Sequence, residues 1–278
     1  LWLGKERLEG KTILLHAEQG LGDTIQFCRY AKQVAALGAR VVLEVQPALK
    51  ALLQGLEGTS VVIAKGEKLP DFDCHCPVLS LPLVFQANLS NISGAAYLQG
   101  DPAKGRQWRA RLGESSKKRV GLVWSGTMAN AALRKRAVPL AEMKTVMDGR
   151  ASYYCLQKEL QADDREELKR TPEIEFLGDS LKDFSDTAAL LEQMDLLITV
   201  DTSVAHLAGA MGKEVWIMLP FSPDWRWLLN RSDNPWYDSV RLFRQSAPGN
   251  WASVLGEVQA ALKLRLREMR KNSFDAPV

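Results

Sequence analysis

Short apolar runs of four to six residues recur along this chain, and a stretch of helical spacing follows almost every one. The runs are Lys11–His16, Arg40–Val45, Ser60–Ala64, Arg119–Trp124, Ser152–Gln157, Ile174–Leu177, Leu196–Val200, Val215–Leu219 and Val240–Arg244. Runs this short, rich in Val, Ile and Leu, read as strands. Strands spaced by helices imply parallel sheets with helices on both faces. The alternation comes in two series. Between them lies Asp101–Lys118, polar and basic with Pro102 near its start, which reads as a helix-containing linker. The expected fold class is therefore α/β, with two doubly wound domains facing each other across a cleft. The expected boundaries are 1–105 and 106–278, with a return of the last helix (Trp251 to about Lys271) onto the first domain left open.

A length of 278 residues accommodates two such domains. The net charge of +3 is too small to argue for nucleic acid. No apolar run reaches the ~18 residues of a membrane helix. The charged start, Leu1-Trp-Leu-Gly-Lys-Glu6, lacks the apolar centre of a secretion signal, so the expected compartment is the cytoplasm. The first residue is Leu rather than Met, which points to a fragment or processed form with residues upstream. Cys28, Cys74, Cys76 and Cys155 are too few and scattered for a disulfide scaffold. Cys74-His75-Cys76 has no second Cys/His pair to complete a tetrahedral metal site and reads instead as a short strand with buried thiols. The basic tail Lys263–Lys271 suits a solvated helix end or a membrane surface.

The candidates for chemistry all fall at strand carboxyl ends. After the run Leu196–Val200 come Asp201, Thr202, Ser203 and, one turn on, His206. A helix opened by Thr and Ser points free N–H groups and hydroxyls at one spot, which suits a phosphate or diphosphate. An ordinary junction with Thr202 as N-cap has the same residues. The loop His16-Ala-Glu-Gln-Gly-Leu-Gly-Asp-Thr24 offers Gly20 and Gly22 for close backbone approach, with Glu18 and Asp23 as carboxylates. Asp23 fits a helix cap first, by capping preference, and also a general base on an acceptor hydroxyl. Arg134-Lys135-Arg136 supplies cations for a diphosphate, or is a solvated charge run. Gln157 and Lys158 suit ribose or base contacts, or a strand-end turn. Phe184–Thr187 opens the next helix, on a nucleoside-side loop or as a plain cap. Pro220–Trp227 brings Asp224 and Arg226 together with tryptophans, as a stacking platform or as domain packing. Their shared location favours one active cleft.

His16-Ala-Glu-Gln-Gly-Leu-Gly-Asp-Thr-Ile-Gln-Phe27, taken with Val200-Asp-Thr-Ser-Val-Ala-His-Leu-Ala-Gly-Ala210, resembles bacterial glycosyltransferase domains associated with tetratricopeptide repeats. These are similar to the heptosyltransferases of glycosyltransferase family 9 and, more distantly, to O-GlcNAc transferase. The resemblance runs from about residue 8 to 262. It implies a GT-B fold, two Rossmann-like domains with the acceptor on the first and the nucleotide-sugar on the second. It implies Asp23 as catalytic base, donor contacts at Thr202, Ser203 and His206 with Asp201 shaping the loop, and further contacts at Arg136, Gln157 and Lys158. The loop Thr127–Leu133 is apolar where the group is usually polar. No repeats are present here, although Leu1–Gly10 resembles the connector that follows them.

The expected activity is an inverting, metal-independent glycosyl transfer from a nucleotide-diphosphate sugar to a hydroxyl. No cofactor or metal is expected, because phosphate clamps replace the cation. The acceptor is a glycan, a lipid-linked species or a protein. The alternatives are a non-catalytic nucleotide- or partner-binding scaffold domain of the same fold, and a sugar-nucleotide epimerase.

Overall fold

The computed structural model describes residues 1–126 and 135–274, the side chains of 271–274 excepted. The first sheet holds β1 (Thr12–His16), β2 (Arg40–Val45), β3 (Val61–Ala64) and β4 (Cys74–Pro77), in the order β3-β2-β1-β4. The second holds β5 (Lys118–Val123), β6 (Ala151–Cys155), β7 (Ile174–Phe176), β8 (Leu196–Val200), β9 (Val215–Leu219) and β10 (Val240–Arg244), in the order β10-β9-β8-β5-β6-β7. Every strand pairing is parallel. The strand order reverses between β1 and β4 and again between β5 and β8. At such switch points a crevice opens beyond the carboxyl ends. The chain thus forms two parallel α/β lobes, the fold class that the strand–helix alternation predicts.

Local chemistry accounts for the elements. β8 is buried at all five residues, as a central parallel strand must be. Cys74-His75-Cys76 forms β4 beside β1, with Ile13 opposite Cys74 and Leu15 opposite Cys76. The helical stretch after β1 is divided. Leu21–Phe27 is α-helical, Cys28–Tyr30 is a tighter 3₁₀ turn, and Ala31–Ala35 resumes the helix. Gly38, at φ +84°, then takes the left-handed conformation that a chain reversal needs.

The chain crosses to the second lobe early. The Tyr97 amide donates to the Ala210 carbonyl at 2.8 Å. The helix Pro102–Leu112 is capped by Asp101, which accepts from the Ala103 amide at 2.7 Å. Lys104 on that helix pairs with Asp186 of the second lobe at 2.7 Å.

The last helix, Trp251–Phe274, packs on its own lobe. Its Trp251, Val254, Leu255, Val258, Leu262 and Leu266 lie in one core with Val120, Trp124, Leu140 and Ile198. The spacing of these residues makes an apolar stripe on a single helix face. Among the described residues that stripe is used up against the second sheet, and a return to the first lobe is not seen. Arg265 on the basic tail binds Glu214 at 2.7 Å, and Leu262 and Leu266 are buried, so the tail has an inward face. No helix among the described residues is long and apolar enough to cross a membrane.

A second core runs through both lobes. It joins Ile13, Leu15, Ile25 and Phe27 of the first to Val123, Leu197, Ala205, Leu207 and Trp227 of the second. The helices Leu21–Phe27 and Ser203–Ala210, each following a switch-point strand, pack directly against each other.

Candidate active site

Helix Leu21–Phe27 sets Asp23 in its first turn. One carboxylate oxygen reaches back to the Gly20 amide at 2.8 Å, which is half of a capping box. The other meets the guanidinium of Arg226, from the opposite lobe. Asp23 is therefore both a cap and a lobe-facing carboxylate. Gly22 lies against the His206 ring, and a β-carbon added there would fall 2.7 Å from Cδ2. The loop of the first lobe and the helix of the second touch at this point.

On the second lobe, Thr202 caps the helix Ser203–Ala210 with extended backbone and no side-chain cap bond. Its hydroxyl stands 3.3 Å from that of Thr199. The Ser203 and Val204 amides donate to no acceptor among the described residues. They are the orphan donors that a helix N-terminus offers to an anion. Gly126, at the end of the β5 loop, comes close to Thr202, where an added β-carbon would lie 3.2 Å from its Cγ2. The two sides of the second switch point therefore adjoin.

His206 is buried. Its Nδ1 lies 3.0 Å from the Tyr237 hydroxyl, and its ring stacks on Trp227 at 5.1 Å. Burial and the nearby Arg226 charge push its pKa down to about 3. It is a neutral imidazole at ordinary pH, so it can bring a hydrogen bond to a phosphate but not a charge.

Arg136 and Arg226 are two of the cations beside the start of the helix. Arg136 Nη1 is 2.7 Å from Asp201 Oδ2, and its Nη2 is 3.6 Å from Asp224. Burial pushes the Asp201 carboxyl up, and Arg136 only partly opposes this. Arg226 donates to Gln26 Oε1 and to Asp224 Oδ1, each at 2.9 Å. Asp224 is also half-desolvated, but the amide and guanidinium of Arg226, with Arg136 beyond, hold its carboxyl below the usual range.

The structure thus brings Gly20, Gly22, Asp23, Arg136, Asp201, Thr202, Ser203 and His206 into one neighbourhood. It gives three other candidates different surroundings. Gln157 is buried with its amide occupied. It accepts from the Trp124 and Ser125 amides at 2.6 and 3.0 Å and donates to the Ser125 hydroxyl at 2.9 Å. Lys158 donates to the Lys182 carbonyl at 2.8 Å. Glu18 accepts the Leu79 amide at 3.2 Å. The apolar loop Thr127–Leu133 and Arg134 lie outside the described residues.

Arg226 is the residue whose importance the sequence did not show. Its partners Asp23 and Gln26 are about 200 positions away, and only the meeting of the lobes supplies them. Tyr237 and Gln26 had no local signal at all. No group of three or more His, Cys, Asp or Glu side chains converges among the described residues. The spaced carboxylates Asp71 and Asp73 lie at the far end of the first sheet, where Asp73 accepts the Thr12 amide at 2.7 Å.

Two Rossmann-like lobes meeting at the carboxyl ends of their sheets make a GT-B, glycosyltransferase-like fold. The chain is similar in structure to a glycosyl transferase family 9 protein from Veillonella parvula, with TM-score 0.69 and 12% identity over 95% of this chain and 99% of that one. It is similar to the ADP-heptose LPS heptosyltransferase II of E. coli, with TM-score 0.61 and 14% identity over 93% of this chain and 99% of that one. It is also similar to the E. coli heptosyltransferase WaaC solved with ADP, with TM-score 0.58 and 13% identity over 92% and 99%. Identities this low make these likenesses of fold. In sequence the chain is similar to Protein FlbA of Caulobacter vibrioides, 29% identical over 292 residues. That match takes in 94% of this chain and 48% of FlbA, so the chain spans about half the length of the curated relative it matches. No protein-family model matches the chain.

Proposed function

We propose that this chain transfers a sugar from a nucleotide-diphosphate sugar to an acceptor hydroxyl. One observation carries the reading. A carboxylate of the first lobe, Asp23, pairs across the lobes with Arg226, and its helix packs on one that opens with two unused amides. The fold is shared with heptosyltransferases, one of them solved with ADP, which supports a nucleotide-linked donor.

In the proposed step Asp23 takes the proton of the acceptor hydroxyl as its oxygen attacks the anomeric carbon. The new carbon–oxygen bond forms on the face opposite the breaking bond to the diphosphate, so configuration inverts. The nucleoside diphosphate leaves with the bonding pair. Its charge is met by the Ser203 and Val204 amides, the Thr202 hydroxyl and Arg136, with a neutral His206 alongside. A helix dipole and the neighbouring guanidiniums face this charge, and the proposed step calls on no metal. Heptosyl and hexosyl donors are both open to this chemistry.

Incubation with a panel of UDP-, GDP- and ADP-sugars, scored for nucleoside diphosphate release, tests the reading. Release from one donor supports transfer. Tight binding of a donor with no release, whatever the acceptor hydroxyl supplied, favours a scaffold domain instead.

A further inference from the structure

The charged groups between the lobes form an alternating chain. Asp23 pairs with Arg226, Arg226 with Asp224 at 2.9 Å, Asp224 with Arg136 at 3.6 Å, and Arg136 with Asp201 at 2.7 Å. Among the described residues, three carboxylates of this chain of contacts share two guanidiniums, so neither guanidinium is spare for an added anion. A diphosphate bound at Ser203–Val204 would bring more negative charge beside them. Such crowding is unfavourable unless a carboxylate gives up its cation.

The three carboxylates are not held equally. Asp201 is buried beside Arg136, with its side chain 5% exposed. Asp224 has the Arg226 amide as well as its guanidinium. Asp23 stands on the other lobe, where the Gly20 amide holds one oxygen and Arg226 alone meets the other. Arg226 meanwhile has donors to redirect, and its neighbour Gln26 holds a buried Nε2 with no partner among the described residues. Asp23 is the group that yields.

We infer that the donor's diphosphate and the Asp23 carboxylate compete for Arg226, so that donor binding draws this cation away and frees the base for the acceptor hydroxyl. The inference rests on the proposed transfer reaction. Arg226 is then the residue that couples occupancy of the second lobe to readiness of the first. Before the donor arrives, Asp23 is engaged across the lobes. Afterwards its released oxygen accepts the incoming hydroxyl. The donor therefore binds before the acceptor.

Calorimetric titration of the full chain with UDP, GDP and ADP tests the competition. Asp23→Asn is nearly isosteric and removes the rival charge. It is expected to bind the preferred nucleoside diphosphate about fivefold tighter than the wild type, the size of a partly buried ion pair. The matching monophosphate, with less charge to attract Arg226, gains less. In an Arg226→Gln background the gain from Asp23→Asn disappears. If Arg226→Gln does not fold, the diphosphate-against-monophosphate comparison in Asp23→Asn decides alone. Unchanged diphosphate affinity in Asp23→Asn, an equal gain for the monophosphate, or a gain that persists in Arg226→Gln overturns the competition while leaving the transfer reading intact. A wild type that binds none of the three nucleotides overturns the transfer reading itself, and this inference with it.

Discussion

The backbone of Gly22 lies against the imidazole of His206, so that a β-carbon at position 22 would sit 2.7 Å from Cδ2. Gly22→Ala must push back a ring that is already stacked on Trp227 and bonded to Tyr237. Overpacking of this kind costs about 1–3 kcal/mol. The variant is expected to melt several degrees lower by circular dichroism. An unchanged melting temperature would mean that loop and ring are farther apart in solution.

Asp23→Asn is expected to slow sugar transfer by about a hundredfold to ten-thousandfold, the range of a lost general base. The variant keeps the Gly20 contact, because the asparagine oxygen accepts the same amide. Donor consumption followed by chromatography checks this. Full turnover would take Asp23 out of the mechanism.

Gln157→Ala leaves the Trp124 and Ser125 amides, both buried, without their acceptor. Uncompensated groups of that kind cost roughly 1–3 kcal/mol each. The loss is expected in denaturant midpoint, with nucleotide affinity in the folded protein little changed. A large affinity loss at unchanged stability would instead mark Gln157 as a direct nucleotide contact.

Stability is expected to fall with acid in a window set by His206. Its folded pKa is about 3 against an ordinary 6.5, because burial and the Arg226 charge oppose the imidazolium. Below pH 6.5 the unfolded chain takes up a proton that the folded chain refuses until about pH 3. This contribution is whole above 6.5 and drains as pH drops through the window, by about 1.4 kcal/mol per unit. Asp201, whose carboxyl burial pushes up, works in the opposite sense near the acid end. Urea unfolding from about pH 6 to about pH 4 should show a shallower slope in His206→Gln than in the wild type. Equal slopes would rule His206 out as the cause.

The site was legible in sequence wherever its cause is local. Leu196–Val200 is an unbroken apolar run, and Thr202 is a capping residue at its end, so both strand and helix start could be read directly. Gly20, Gly22 and Asp23 mark a strand-to-helix loop by their own chemistry. What stayed hidden depends on distant partners. Arg226 looks like any loop cation until Asp23 and Gln26 are brought beside it from the other lobe. The bonds from the Trp124 and Ser125 amides to Gln157 likewise need β5 to lie beside β6. The break at Cys28–Tyr30 was invisible because its residues fit an unbroken helix equally well.

The apolar core that continues from Ile25 and Phe27 into Ala205 and Trp227 leaves the halves no seam along which to part. A clam-like swing would wet all four of these side chains. A ligand reaching Arg226 would instead pass the rim, where Phe221, Trp225 and Leu229 are more than half exposed. Both halves should then melt in a single calorimetric transition.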